Sequence, residues 1–309
     1  MFSRRHFLHT TAAAAPLLLA PSLLLASPRE QKLIVLHTND MHSRLDPFPQ
    51  DGLPTAGRGG MARRAALIRQ IRAEAKAANA EVLLLDCGDI WQGTPYFNFY
   101  GGELEYKLMT QMGYDAATLG NHDFDNGLEG LVKQLPHAGF EFLIANYDFA
   151  PTPLAGRFRP RRVFRKGGVR VGVFGLGIEL AGLVPDAKFG ATRYLDPVAT
   201  AREQVRALRE DEKVDFVICL SHLGYSYDTP KIDDRKLAAQ VKGIDLILGG
   251  HTHTMLDAPQ PVSGPDGWTT TINQVGWAGL SLGRFDIEFR RGKHVTASAM
   301  VVPVSPAVG

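Results

Sequence analysis

Five apolar runs along this chain each end on a short polar cluster. Lys32-Leu-Ile-Val-Leu-His37 runs into Asn39-Asp40-Met41-His42, and Glu81-Val-Leu-Leu-Leu-Asp86 into Cys87-Gly88-Asp89. Asp115 to Leu119 leads into Gly120-Asn121-His122-Asp123-Phe124-Asp125. Val214 to Leu220 leads into Ser221-His222, and Ile244 to Leu248 into Gly249-Gly250-His251-Thr252-His253. Short continuous apolar runs with such boundaries predict strands buried on both faces. Between them the period becomes helical. Met61, Ala65, Ile68, Ile71 and Ala75 mark one stripe over residues 60–78. Further helices are predicted over Glu103–Met112, Leu128–His137, Pro197–Glu210 and Ile232–Val241, with Asp196 as N-cap of the one starting at Pro197. Phe140–Ala145 and Val169–Ile178 add strands, residues 43–60 read as a loop, and residues 151–168 as a loop with a hairpin turn at Gly167-Gly168. From Thr269 onward strands follow one another without helices: Thr269–Gln274, Leu282–Arg290 and His294–Val302.

Strands alternating with helices predict a layered α/β fold. In open sheets of this class ligands bind beyond the carboxyl ends of the strands. Residues spread from Asp40 to His253 are therefore expected to converge on one sheet edge. No internal repeat or interdomain linker interrupts the pattern, so residues 27–309 are expected to form one domain.

The composition, 45% apolar and 21% charged over 309 residues, is that of an ordinary globular protein. The net charge of +2 comes from Arg4 and Arg5, the only charged residues in 1–26, and gives no reason to expect a nucleic-acid polymer as partner. Ser3-Arg4-Arg5-His6-Phe7-Leu8 precedes an apolar stretch from Thr11 to Ala26 that contains Pro16 and Pro21 and is short for a membrane span. Residues 1–26 resemble a twin-arginine export signal, which implies a periplasmic or extracytoplasmic location. An ordinary secretory signal is the alternative reading, and uncleaved the segment would be an anchor. Cys87 and Cys219, the only cysteines, sit in or beside apolar runs and read as free, buried thiols.

The clusters offer Asp40, His42, Asp89, Asn121, His222, His251 and His253 as ligands. Carboxylate, imidazole and amide donors without thiolate suit Mn, Fe, Co or Zn. Seven such donors are enough for two divalent ions if Asp89 bridges them, and a close pair of cations binds phosphate and activates water. His122 is then free to act on substrate as an acid, with Asp125 orienting its ring. His37 and His137 read as structural. Tyr96-Phe97-Asn98-Phe99-Tyr100, Tyr225 and Tyr227 read as core packing, with a place beside the site as the alternative.

In combination these residues resemble the calcineurin-like metallophosphoesterase superfamily, in the branch of the 5′-nucleotidases and UDP-sugar hydrolases. The segments that carry the resemblance are His37 to His42, Gly88 to Thr94, Gly120 to Asp125, Ser221 to Gly224, Gly249 to His253 and Asn273 to Gly283. The resemblance implies a four-layer α/β/β/α sandwich whose second sheet the all-β tail completes. It implies one metal on Asp40, His42, Asp89 and His253, another on Asp89, Asn121, His222 and His251, and His122 with Asp125 as catalytic dyad. The activity implied is hydrolysis of nucleotides or related small phosphate esters. A thiosulfohydrolase of sulfur oxidation and a non-catalytic metal-binding scaffold are the alternatives. Relatives of this branch usually carry a C-terminal domain that stacks the nucleobase between aromatic side chains. The sequence stops at Gly309, soon after the last predicted strand, so a separate C-terminal-domain protein is the expected partner.

Overall fold

The computed structural model describes residues 30–290 and 293–305; the leader at 1–26 lies outside them. Among the described residues fourteen strands run in chain order. They are β1 (Gln31–Thr38), β2 (Ala80–Asp86), β3 (Ala116–Ala117), β4 (Glu141–Phe142), β5 (Tyr147–Asp148), β6 (Arg161–Lys166) and β7 (Val169–Leu176). Then follow β8 (Arg193–Tyr194), β9 (Phe216–Ser221), β10 (Leu246–Leu248), β11 (Gln260–Ser263), β12 (Thr269–Asn273), β13 (Ser281–Arg290) and β14 (Lys293–Pro303). The helices are α1 (Met61–Ala77), α2 (Pro95–Tyr100), α3 (Glu103–Met112), α4 (Gly127–Gln134), α5 (Asp186–Phe189), α6 (Pro197–Arg206) and α7 (Asp234–Gln240).

Two six-stranded sheets carry the fold, ordered β14-β13-β1-β2-β3-β4 and β11-β12-β10-β9-β7-β6. The alternation of side chains along each strand builds the layers. In β1, Leu33 and Val35 face the other sheet and meet Leu83, Leu85, Val171, Val173, Ile218 and Leu220. Ile34 and Leu36 point the opposite way, onto Ile68 and Ile71 of α1 and Tyr106 and Met109 of α3. In β9, Val217 and Cys219 pack outward with Val198 and Val205 of α6 and Leu237 of α7. Three apolar layers thus separate four layers of backbone, helix–sheet–sheet–helix. Both faces of the central strands are dry, which is why the sequence shows unbroken apolar runs. Cys87 and Cys219 are free and buried. Asp196 caps α6 by accepting from the Ala199 amide at 2.6 Å.

Several details differ from expectation. Only β12 of the tail joins the second sheet; β13 crosses over and pairs antiparallel with β1, from Gln31 opposite Phe289 to His37 opposite Gly283. It covers an edge of β1 that would otherwise be open, and it sends Phe285, Ile287 and Phe289 into the layer between the sheets. Within the expected loop at 151–168, β6 pairs with β7. Its Arg161, Arg162, Arg165 and Lys166 hide the strand pattern, as charges on edge strands do. β11, with Pro261, is a second unforeseen edge strand. The strand expected at 140–145 shrinks to Glu141–Phe142, and α4 tightens at Pro136 into a 3₁₀ turn, Leu135–His137. Only Phe97 of the α2 aromatics is buried, while Phe99 is 82% exposed.

Candidate metal centre

β1, β2 and β3 are parallel neighbours in one sheet, and β9 and β10 in the other. Their carboxyl ends meet along one side of the sandwich, and the loops that leave them carry the polar clusters. These loops are tight. Asp40, His42, Asp89, His251 and His253 all have left-handed φ, between 48° and 72°. Such a conformation costs an L-residue roughly 1–2 kcal/mol. Five of the eleven non-glycine residues in this region among the described chain are therefore at the site, a concentration that the surrounding bonds must hold in place.

Those bonds can be named. The amides of Asp40, His42 and Ser43 donate to the carbonyls of Gly88, Asp89 and Ile90 at 2.9, 3.0 and 2.9 Å, zipping the first loop to the second. Buried Asp123 accepts from the amides of Gly120 at 2.8 Å, Asp89 at 3.0 Å and Ile90 at 3.1 Å, tying the second loop to the third. The His122 amide donates to Asp89 Oδ1 at 2.8 Å, and the His251 amide to the Asp40 carboxylate at 3.0 Å. Gly120 is required for close approach, because a Cβ there would lie 2.2 Å from Asp89 Oδ1.

The donors fall into two groups, Asp40–His42–His253 and Asp89–His222–His251, each with ligand atoms within 4.8 Å of one another. Asp89 lies between them, its Oδ2 3.1 Å from His222 Nε2 and 3.9 Å from His42 Nε2. Asn121 Oδ1 is 2.8 Å from His251 Nδ1. The backbone fixes two tautomers. His222 Nδ1–H donates to the Cys87 carbonyl at 2.6 Å, and His42 Nδ1–H faces the carbonyls of Trp91 and Gln92 at 3.3 and 3.2 Å. In its neutral form each ring then turns a bare Nε2 inward. His222 Nε2 is fully buried and makes no aligned hydrogen bond. Burial lowers the proton affinity of His42, and burial followed by the charge of His222 brings His251 down to about 4. Burial opposes ionisation of Asp89, but His222 and His42 beside it hold the carboxyl below its ordinary range. Burial opposes protonation of His222, but the carboxylates of Asp89 and Asp40 beside it raise its imidazole to about 10. Imidazole, carboxylate and amide donors converging in this way fit divalent cations, which would take the place of that proton.

His122 stands at the rim, its side chain 36% exposed and its ring centroid 5.3 Å from that of His42. Its Nδ1 is 2.8 Å from Asp125 Oδ2, and this bond raises the proton affinity of the ring against the opposing effect of burial. All nine residues singled out in the sequence are therefore in one place. Asp123 was not assigned a role there, although it lies inside the Gly120–Asp125 motif. Gln274 was also missed. Its Oε1 accepts from the Thr254 amide at 2.6 Å and from Thr252 Oγ1 at 3.0 Å, holding the His251–His253 loop. The sequence signal was the Asn273–Gly283 run, which carried part of the resemblance without an assigned task.

The sequence profile of the calcineurin-like phosphoesterases matches residues 33–255. A 5′-nucleotidase of Vibrio cholerae is 34% identical over 307 residues, covering 93% of this chain and 54% of the relative. The structure of a 5′-nucleotidase precursor from Thermus thermophilus superposes with a TM-score of 0.78 at 34% identity, over 89% of this chain and 55% of that one. A sulfate thiohydrolase from the same genus superposes at 0.74 with 24% identity, over 88% of this chain and 56% of that one, a likeness of fold alone. The chain spans about half the length of these relatives. The profile covers the loops that bring the two donor groups together, and the chain belongs to the calcineurin-like phosphoesterase family.

Proposed function

We propose that this chain is the catalytic part of an exported phosphoric ester hydrolase of 5′-nucleotidase type, with two divalent ions sharing Asp89. The observation that carries the reading is the position of Asp89 between two donor groups, each holding a second carboxylate or amide and two imidazoles. Asp40, His42, Asp89 and His253 would hold one ion, and Asp89, Asn121, His222 and His251 the other. Bound there, such ions supply Lewis-acid charge for a phosphoryl group and activation of water at neutral pH.

The remaining chemistry falls to the rim. Asp125 keeps His122 protonated toward neutral pH by accepting from Nδ1. That leaves the Nε2 proton for the ester oxygen as the phosphorus–oxygen bond breaks, so the alcohol departs neutral. Selectivity for the alcohol requires walls that contact it. We assign those walls to a second domain, carried either on a further stretch of the polypeptide or on a separate chain, and the substrates to nucleotides or similar small phosphate esters. Export rests on the leader; among the described residues no helix is long and apolar enough to cross a membrane.

The test is turnover of p-nitrophenyl phosphate, bis-p-nitrophenyl phosphate and AMP by protein loaded with Mn, Zn, Co or Fe. Failure with every substrate and ion, with and without a 5′-nucleotidase C-terminal domain added, removes the hydrolase reading. Metal bound without turnover would favour the scaffold, and sulfate release from a carrier-bound thiosulfonate would favour the thiosulfohydrolase.

A further inference from the structure

Three of the four site histidines are held at Nδ1, two by backbone carbonyls and one by a neighbouring side chain. His42 Nδ1 lies against two carbonyls, His222 Nδ1 against one, and His251 Nδ1 against Asn121 Oδ1, itself one of the proposed ligands. His253 differs. Its side chain is 39% exposed, and among the described residues its Nδ1 makes no hydrogen bond. Its Nε2 meets His42 Nε2 at 2.9 Å, and the face of its ring lies against Trp277. The two rings are parallel to within 5° at 5.5 Å between centroids.

Trp277 is itself held firmly. On one side the Gly276 amide donates to the Thr254 carbonyl at 3.0 Å, beside His253. On the other the Ala278 amide donates to the Asp40 carbonyl at 2.7 Å. Asn39 closes the arrangement, donating to the Gly276 carbonyl at 2.6 Å and accepting from the Val275 amide at 3.1 Å. Phe48 meets the indole edge-on at 5.8 Å, and His42 lies 6.5 Å away at 64°. The indole is a rigid wall mounted between the loops that carry Asp40 and His253.

We propose that Trp277 is the positioning residue for the Asp40–His42–His253 half of the centre, replacing by ring stacking the hydrogen bond that the other histidines have. This rests on the metal reading above. Offset-parallel aromatic pairs have a preferred geometry, so the stack restricts the His253 ring and keeps Nε2 toward Asp40, 3.5 Å away. The two ion sites are then unequal: one sits among hydrogen-bonded rings, while the other depends on an exposed aromatic surface.

The experiment is zinc titration into chelator-treated protein, comparing wild type, Trp277→Ala and Trp277→Phe. Loss of a group that orients a ligand typically costs about 10–100-fold in metal affinity. Trp277→Ala is expected to weaken one equivalent by about 10-fold or more and leave the other unchanged, with Trp277→Phe restoring most of the loss. Activity of Trp277→Ala should return as zinc is raised, marking a binding defect rather than a catalytic one. Two wild-type affinities in Trp277→Ala would overturn the proposal, as would equal weakening of both sites or no rescue by Phe. Zinc binding to none of the three, wild type included, would overturn the metal reading itself and this proposal with it.

Discussion

His42 Nε2 and His253 Nε2 lie 2.9 Å apart. Because the backbone carbonyls claim the Nδ1 proton of His42, its Nε2 presents a lone pair that can accept from His253 Nε2–H or serve a cation. A divalent cation bound there would displace that proton and tie the two loops together. Stability should therefore depend on metal. At a free ion concentration of 100 times Kd, one site adds about 2.7 kcal/mol. Thermal unfolding with chelator and at rising Mn or Zn checks this; a midpoint indifferent to both would contradict it.

Asp89 serves both donor groups with one carboxylate. Asp89→Asn removes the charge while keeping the shape. Metal content and turnover are expected to fall together, and an inactive variant that kept both ions would show that Asp89 acts elsewhere.

His122 touches the donor groups only through its backbone and ring edge. His122→Ala should retain its ions and lose roughly 10²–10⁴-fold in kcat, the usual contribution of a positioned acid. Asp125→Asn should lose less, since the ring remains. Elemental analysis beside steady-state kinetics separates the cases, and metal loss in His122→Ala would reassign the residue as a ligand.

Asp123 accepts three backbone amides in a fully buried position. Asp123→Ala strands those donors, at about 1–3 kcal/mol for each one left unsatisfied. A loss of at least several kcal/mol in denaturant unfolding is expected, together with weaker metal binding. A change under 1 kcal/mol would mean that other groups hold the loops.

Burial brings the His37 imidazole down from 6.5 to about 3. Between those values the unfolded chain binds the proton and the folded chain does not, so stability rises with pH across the window. The contribution is complete above about 6.5 and is lost as pH falls toward 3. His37→Gln should flatten this slope, read as the difference between wild-type and variant urea midpoints at pH 5 and pH 7. Parallel midpoints would place the acid sensitivity in other groups.

The sandwich and its site were legible because the central strands are dry on both faces and each ends where a ligand is needed. Lys32–His37 and Val214–Leu220 announced themselves as unbroken apolar runs, and the polar clusters after them, buried as they are, add nothing to apolar packing. The edges were not legible. β6 carries Arg161, Arg162, Arg165 and Lys166 along a sheet edge, and β11 carries Pro261, so neither shows a strand period. The path of β13 depends on which sheet edge is open, which no local pattern records. Asp123 was hidden for a similar reason, since its partners are backbone amides and backbone amides leave no trace in a sequence. Trp277 earned no role because stacking has no spacing rule.

Three of the seven proposed ligands, His222, His251 and His253, hang from the second sheet and the other four from the first. Ions bound among them would be rivets across the seam of the sandwich. No half of the chain can hold them alone, and neither can a nascent chain that has not reached His253. The full donor set exists only when both sheets are built, so the cations it could take are those available in the compartment where that happens. Metal identity would then reflect where folding is completed as well as ligand chemistry.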